Sequence, residues 1–345
     1  MSARAPPPRP RDGRRIAAVM RRDGMTVPLP GHLHAHRDAI RELADLGYSD
    51  VWSGEADGAD GFTPLALAAA WEPRLRLGTA IVPAYTRAPA LMAQSVAALA
   101  DAAPGRVAVG IGSSSNVIVE RWNGIPFVEP YRRTRDMVRF LREALAGEKV
   151  SRRYDTFAVD GFRLGIRPEV VPPILVAALR PGMLRLAARE ADGPIINWLA
   201  PHDVPKVVAE VRAASGGAEK EVVARIFVCP SERAETVRTT ARYAIAAYLN
   251  VPVYAEFHRW LGRGDALGGM WEAWRAGDRK AALAAIPDAV VDDLIVHGSP
   301  AACRARIQRY FDAGVTTSSI MILPLDPELD HRAAIRDLSP SAARG

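Results

Sequence analysis

The sequence predicts an α/β fold, a single (β/α)8 TIM barrel, and three observations carry that expectation. Short runs rich in Val and Ile recur along the chain, as in strands buried on both faces of a parallel sheet. Helix-length amphipathic segments separate them, and this alternation implies right-handed crossovers. There are eight such units, which favours a closed barrel over an open doubly wound sheet. The 345 residues exceed the roughly 250 of a bare barrel and leave room for decorated loops.

Taken in order, the predicted strands are Ile16–Met20, Asp50–Gly54, Leu75–Pro83, Arg106–Gly112, Pro173–Ala178, Gly193–Trp198, Val222–Cys229 and Ser319–Leu323. The first helix, Ala35–Leu46, ends at Gly47, a good residue for the turn that follows a helix. Thr63-Pro64 opens the second, with Thr63 as N-cap and proline at the first helical position. Pro89–Asp101 and Tyr131–Ala146 follow, the latter stopped by Gly147. Then come Pro181–Glu190, Asp203–Ala214, Arg233–Leu249 and a last helix, capped at Ser299-Pro300, that runs to Asp312. Two connections exceed ordinary loops: residues 147–172 after the fourth βα unit and 250–298 after the seventh. Such insertions often serve as lids or binding loops. Trp260, Trp271 and Trp274 in the second read either as part of a lid or as the insertion's own core. No repeat or linker divides the chain, so residues 15–335 read as one domain between loose tails, 1–14 and 336–345.

Composition narrows the function classes. The net charge is +6, from 45 Lys plus Arg against 39 Asp plus Glu. The basic residues are scattered, with no block of five or six like charges, which argues against nucleic acid as a partner and leaves an anionic small ligand. No apolar stretch reaches the roughly 18 residues of a membrane span, and the Pro- and Arg-rich start lacks a signal-peptide core. A cytoplasmic location is expected. Cys229 and Cys303 are too few and too far apart for a disulfide framework or a metal cluster, and Cys229 reads as a buried thiol. His32, His34 and His36 alternate but lead into a helix rather than ending a strand, so no metal is expected. The phosphate-binding GxxxxGK[ST] loop, the G-x-S-x-G elbow and H-E-x-x-H are all missing from the sequence, so a hydrolytic site cannot be assembled from these motifs.

Barrel enzymes work at the C-terminal ends of their strands. The second strand ends in Trp52-Ser53-Gly54-Glu55, which places Glu55 at the mouth, with Asp60 in the turn beyond. The third strand continues through Thr79, Ala80 and Ile81, whose surroundings are small enough for a flat ring to lie against the backbone, and then to Tyr85 and Arg87, a candidate for an anionic group. The fourth ends in Gly110-Ile111-Gly112-Ser113-Ser114-Ser115. This begins like a dinucleotide fingerprint but lacks the third glycine; it reads as a hydroxyl-rich loop, with Ser113 and Ser115 as catalytic candidates beside Glu55. After the fifth strand, Ala178-Leu179-Arg180-Pro181-Gly182-Met183 leads into a helix start, a natural anion site. The sixth offers the Asn197 amide and the Trp198 ring. Asp60, Tyr85, Arg87 and Trp122 are the candidates for substrate contact.

These segments, with Val51–Glu55, Leu75–Pro83, Gly105–Ser114 and Val119–Phe127 in that order and spacing, resemble the luciferase-like monooxygenase superfamily. The last run is similar to an actinobacterial branch that uses coenzyme F420. The resemblance implies a deazaflavin at the barrel mouth, with FMN as the alternative cofactor, and a homodimer. It implies a non-proline cis peptide at Ala80–Ile81 behind the ring, the cofactor phosphate at Ala178–Met183, and contact between Glu55 and the ring system, with Thr79, Ser113, Ser114, Asn197 and Trp198 nearby. A histidine often follows the acid in that family, but here the residue is Ala56. Sugar-phosphate dehydrogenases of the family carry a glutamate where Ser113-Ser114-Ser115 stand. The expected activity is therefore an F420H2-dependent reductase that transfers hydride to an activated C=C or C=N bond of a natural-product or peptide-derived small molecule. The alternatives are an FMNH2- and O2-dependent monooxygenase and a non-catalytic F420-binding protein.

Overall fold

The computed structural model describes residues 21–342. Eight parallel strands close into a barrel: Arg22–Thr26, Asp50–Ser53, Arg76–Thr79, Val107–Gly112, Ile174–Ala177, Gly193–Ile196, Val223–Cys229 and Thr317–Ile322. Each pairs with the next, and the last pairs with the first through Met25–Ile320 and its neighbours. The predicted strand Ile16–Met20 lies outside the described residues, and the first barrel strand is Arg22–Thr26. Its sequence, RDGMT, hides this because its inward positions are polar or bare. Arg22 faces Asp50 across 3.6 Å, Gly24 makes way for a neighbour's ring, and the Thr26 hydroxyl meets that of Ser319 at 3.1 Å.

The barrel interior is layered. At the bottom, Arg76 lies between Asp50, at 3.2 Å, and Glu221, at 2.6 and 2.8 Å, and Thr317 donates to Glu221 at 2.8 Å. Above this ionic plug the fully buried Trp52 ring fills the barrel with Ala108, Leu175, Ile195 and Val223 around it. Gly24 and Gly78 exist for that ring: a Cβ on Gly78 would lie 2.2 Å from Trp52 Cε3, and one on Gly24 would lie 2.8 Å from Nε1. The outward-facing Val, Ile and Leu side chains of the strands pack against the helices in one large core.

Helices α1 (Arg37–Asp45), α2 (Thr63–Trp71), α3 (Pro89–Ala102), α4 (Pro130–Leu145), α5 (Pro181–Glu190), α6 (Val204–Ala214) and α7 (Ala234–Leu249) form the outer ring with the last barrel helix, Pro300–Asp312. Thr63 is the first residue of α2 rather than its cap. The Asp60 carboxylate takes the capping role, accepting from the backbone N–H of Phe62 at 2.8 Å and of Thr63 at 3.1 Å. Ser299 does cap its helix, accepting from Ala302 N–H.

Both long insertions are structured. Residues 147–172 contain the antiparallel hairpin Val150–Arg153 and Ala158–Phe162. Residues 250–298 form four helices and the short strand Ile295–His297, which extends the sheet beside the seventh strand. Trp271 is buried in a core that this insertion shares with α7, and its Nε1 donates to Leu249 O at 2.9 Å. Trp274 packs on that core's edge and Trp260 against the main core. Cys229 and Cys303 are both buried free thiols. Helix His331–Asp337 docks on α1, where Tyr48 donates to Ile335 O at 2.8 Å and Arg332 and Arg336 pair with Glu42. The packed chain therefore continues past residue 335, with Leu338 buried. Among the described residues no helix is long and apolar enough to cross a membrane.

Candidate active site

The mouth of the barrel is built on an irregularity in the third strand. Between the pairs Gly78–Ala108 and Val82–Ile111 the third strand uses one residue more than the fourth. The extra residue falls in Thr79–Ile81, and the Ala80–Ile81 peptide is cis. Backbone pairing lapses here, and the buried Thr79 hydroxyl replaces it by donating to Gly110 O and accepting from Gly110 N–H, both at 2.8 Å. A side chain at 110 would prevent this, since its Cβ would stand 2.1 Å from Thr79 O.

Inward positions near the ends of the second to fifth strands are all small: Gly54, Ala80, Gly112 and Ala177. A Cβ on Gly54 would approach Ala80 O at 2.9 Å, and one on Gly112 would lie 2.8 Å from Ala177 Cβ and 3.1 Å from Ile81 Cδ1. The opposite side is large and mainly aromatic, with Arg225 and Asn197 as its polar groups. Arg225 and Phe227 come from the seventh strand, Asn197 and Trp198 from the end of the sixth, and Tyr248 and Tyr254 from α7 and the insertion helix Pro252–Leu261. Trp198 packs on Phe227, with centroids 4.2 Å apart, and on Tyr248 at 5.0 Å. Asn197 Nδ2 donates to Tyr254 OH at 3.3 Å. A cavity of about 200 Å³ lies by the ends of the first and eighth strands, lined in part by Thr26 and Met321.

Two of the three non-glycine residues with positive φ among the described residues lie at this mouth, Ser114 at 61° and Trp198 at 54°. A bulky residue in the left-handed region is held there against its own preference, and such strain gathers at functional sites.

Glu55 stands at the second strand's end, where its N–H donates to Ile81 O at 3.0 Å. Its carboxylate accepts from Arg87 Nη2 at 2.7 Å, from Arg87 Nε at 3.2 Å and from Gly61 N–H at 3.1 Å. Arg87 also reaches Asp60 at 3.3 Å and lies over the Phe62 ring. Burial works against the charge of Asp60, but the Thr63 side chain, two backbone N–H groups and Arg87 hold its carboxyl below the usual range. The structure thus brings Glu55, Asp60 and Arg87 together as one cluster that fixes the loop 54–61. Tyr85 is buried and donates its hydroxyl to Val128 O, and burial pushes its pKa up to about 12. Trp122 is exposed, at the end of the π-helical turn Val117–Trp122. Ser115 Oγ accepts from Ile118 N–H at 3.3 Å, opening that turn. Ser113 and Ser114 make no side-chain hydrogen bond among the described residues and remain half-buried.

After the fifth strand, Ala178 is fixed by its N–H to Ile195 O at 2.9 Å, and Leu179 and Met183 pack on the main core. Pro181 starts α5, whose N-cap Arg180 is extended and supplies no capping side chain. Arg180 is exposed, and a Cβ on Gly182 would meet nothing within 4 Å. The first turn of α5 thus presents unpaired N–H groups and a guanidinium to open space, the arrangement that phosphate selects.

Sequence reasoning missed Arg225, Phe227, Tyr248 and Tyr254. The inward parity of the seventh strand, counted from Val223, would have found the first two. The tyrosines enter from helices and carry no local signal.

The comparisons with known proteins agree with this architecture. The family model of the luciferase-like monooxygenases matches residues 15–317. A 5,10-methylenetetrahydromethanopterin reductase of Methanolobus tindarius is 29% identical over 280 residues, covering 78% of this chain and 84% of that protein. The solved coenzyme F420-dependent tetrahydromethanopterin reductase from Methanopyrus kandleri superposes with a TM-score of 0.77 at 20% identity, covering 93% of this chain and 98% of its own. An F420-dependent secondary alcohol dehydrogenase in complex with an F420-acetone adduct gives 0.74 at 16% identity, over 93% of this chain and 99% of that one. With the matched model spanning most of the chain and a closed parallel barrel bearing the cis bond expected of its third strand, this protein belongs to the luciferase-like monooxygenase family.

Proposed function

We propose that this chain is a coenzyme F420H2-dependent reductase acting on an activated C=C or C=N bond of a small natural-product or peptide-derived substrate. The named F420-dependent relatives support the cofactor, and the residues present fit it. The small inward residues Gly54, Ala80, Gly112 and Ala177 leave one side of the mouth bare of side chains beyond Cβ, and a Cβ added at Gly54 or Gly112 would meet Ala80 O, Ala177 or Ile81. The open first turn of α5, with Arg180 and Gly182, suits the phosphate of the cofactor tail. Bound there, the reduced deazaflavin supplies a hydride, and the chain's task is to orient the substrate and exclude competing chemistry. Phe227, Trp198, Tyr248 and Tyr254 wall the other side and offer aromatic surface against which the acceptor bond can lie. Ser113 and Ser114, with free hydroxyls at the mouth, are the groups that hold or relay the proton.

The reductase reading rests on one observation. The strand-end acid, Glu55, is tied to Arg87 by two hydrogen bonds and to Gly61 N–H by a third. Oxidising an alcohol needs a base placed at the hydroxyl, whereas this carboxylate is engaged by Arg87 and by its own loop through Oε1. Reducing a polarised double bond needs only a weak proton source. Anaerobic mixing of the F420H2-loaded protein with enones, enoates and imines tests this. Cofactor oxidation by a C=C or C=N acceptor is the expected outcome. Faster reduction of bound F420 by secondary alcohols, or stoichiometric O2 consumption with FMNH2, would refute it.

A further inference from the structure

One half-buried charged group at the mouth has no counter-ion among the described residues. Arg225 leaves the seventh strand inward and crosses the barrel, so that its Nη2 donates to Ala80 O on the third strand. A Cβ on Gly54 would lie 3.3 Å from that nitrogen, so glycine at 54 keeps the crossing open. Its Nε is buried without a hydrogen-bond partner, and its Nη1 makes no hydrogen bond among the described residues. No carboxylate of the described residues lies within ion-pair distance of it, in contrast to Arg76 at the barrel bottom and Arg87 in the loop cluster. The titratable groups that act on it are the phenols of Tyr248 and Tyr254. Burial lowers its pKa, but a guanidinium keeps its proton in proteins.

A half-buried guanidinium satisfied by one carbonyl is costly unless an anion completes it. Its planar fork suits a carboxylate bound through two N–H groups. We infer that Arg225 receives a carboxylate of the substrate, so that the reducible bond belongs to an unsaturated or imino acid whose acid group lies close to the acceptor bond. This rests on reading the bare side of the mouth as the deazaflavin site. In that reading the cofactor phosphate is held at α5, and Arg225 stands at the seam between the bare side, which it touches at Ala80, and the aromatic side. An anion held there would lie beside Ala80 and be walled by Phe227, Tyr248 and Tyr254, which favours a planar, apolar acid over a small hydrophilic one.

The test uses holoprotein loaded with oxidised F420, titrated with benzoate and with benzamide, its neutral isostere, while the fluorescence of the bound cofactor is followed. Benzoate is expected to bind about ten-fold or more tightly than benzamide, as for one charge-assisted pair. Arg225→Met should abolish that preference, and Arg225→Lys should keep part of it. Equal affinity of the two probes, or no binding of benzoate, overturns the proposal in the wild-type protein, whether or not the variants fold. Loss of F420 affinity together with the preference in Arg225→Met also overturns it and assigns the guanidinium to the cofactor. If the wild-type protein takes FMN and refuses F420, the cofactor reading fails by itself, and the same titration of FMN-loaded protein decides the carboxylate proposal separately.

Discussion

The substitution Gly78→Ala probes the barrel interior most sharply. An added methyl at 78 would lie 2.2, 2.3 and 2.6 Å from Cε3, Cζ3 and Cδ2 of Trp52, whereas ordinary contact begins near 3.4 Å. The ring would need to retreat by more than about 1 Å, a distance a close-packed core does not yield. It is fully buried and walled by Ala80, Ala108, Leu175, Ile195 and Val223, with the ionic layer of Arg76, Asp50 and Glu221 beneath. Overpacking of this kind costs roughly 1–3 kcal/mol, and backbone-borne contact on both sides of a rigid ring puts Gly78→Ala at about 3. Trp52→Leu alone should cost about 3 kcal/mol through the void it leaves. In the Trp52→Leu background the methyl has room, so Gly78→Ala should then cost under about 1 kcal/mol, a coupling of about 2 kcal/mol between the sites. Urea unfolding of the four proteins measures this, with Gly58→Ala, which meets nothing within 4 Å, as a near-silent control. Additive costs within about 0.5 kcal/mol would refute the packing argument.

Three further outcomes are expected. Glu55→Gln should destabilise by about 1–3 kcal/mol, because it leaves the partly buried Arg87 without its main charge partner; limited proteolysis should then cut first within residues 54–61, and unchanged resistance there would contradict the clustering role. Arg180→Ala should weaken F420 about five- to ten-fold and leave the phosphate-free deazaflavin chromophore unaffected; equal loss for both ligands would move the phosphate elsewhere. His258 is buried, and burial together with the Arg263 charge lowers its pKa to about 3. The unfolded chain takes up this proton below about pH 6.5 while the folded protein does not. Acidification from pH 6.5 towards 3 should therefore cost stability, by at most about 5 kcal/mol, and His258→Leu should flatten that part of the pH profile; parallel profiles for the two proteins would sink the idea.

The extent to which the sequence foretold the molecule follows from what each element buries. Seven of the eight barrel strands were legible because their outward faces carry Val, Ile and Leu, six of them at slightly generous bounds and the last, Thr317–Ile322, read two residues late as Ser319–Leu323. The first was not: Arg22, Gly24 and Thr26 serve the interior and erase the apolar signal. Thr63 looked like a cap because hydroxyls often cap helices, but Asp60, three residues earlier, reaches both free N–H groups. Ala80–Ile81 came from resemblance alone, since nothing in the composition of a Gly-Thr-Ala-Ile run marks a cis bond. The strand-end rule located Glu55, Ser113 and Asn197 at the mouth. It could not show that Glu55 would be paired with Arg87, which depends on how the loops after the second and third strands fold together. Arg225 was passed over because a lone arginine in an apolar strand reads as a surface residue until the inward parity of its neighbours is known.

The account stands or falls on what the mouth of the barrel holds. Side-by-side equilibrium titration of the protein with F420 and with FMN measures that directly. The F420-dependent relatives predict the tighter complex with F420, and because FMN also carries a phosphate, Arg180→Ala should weaken both complexes. Tighter binding of FMN, or equal binding of both, would contradict it.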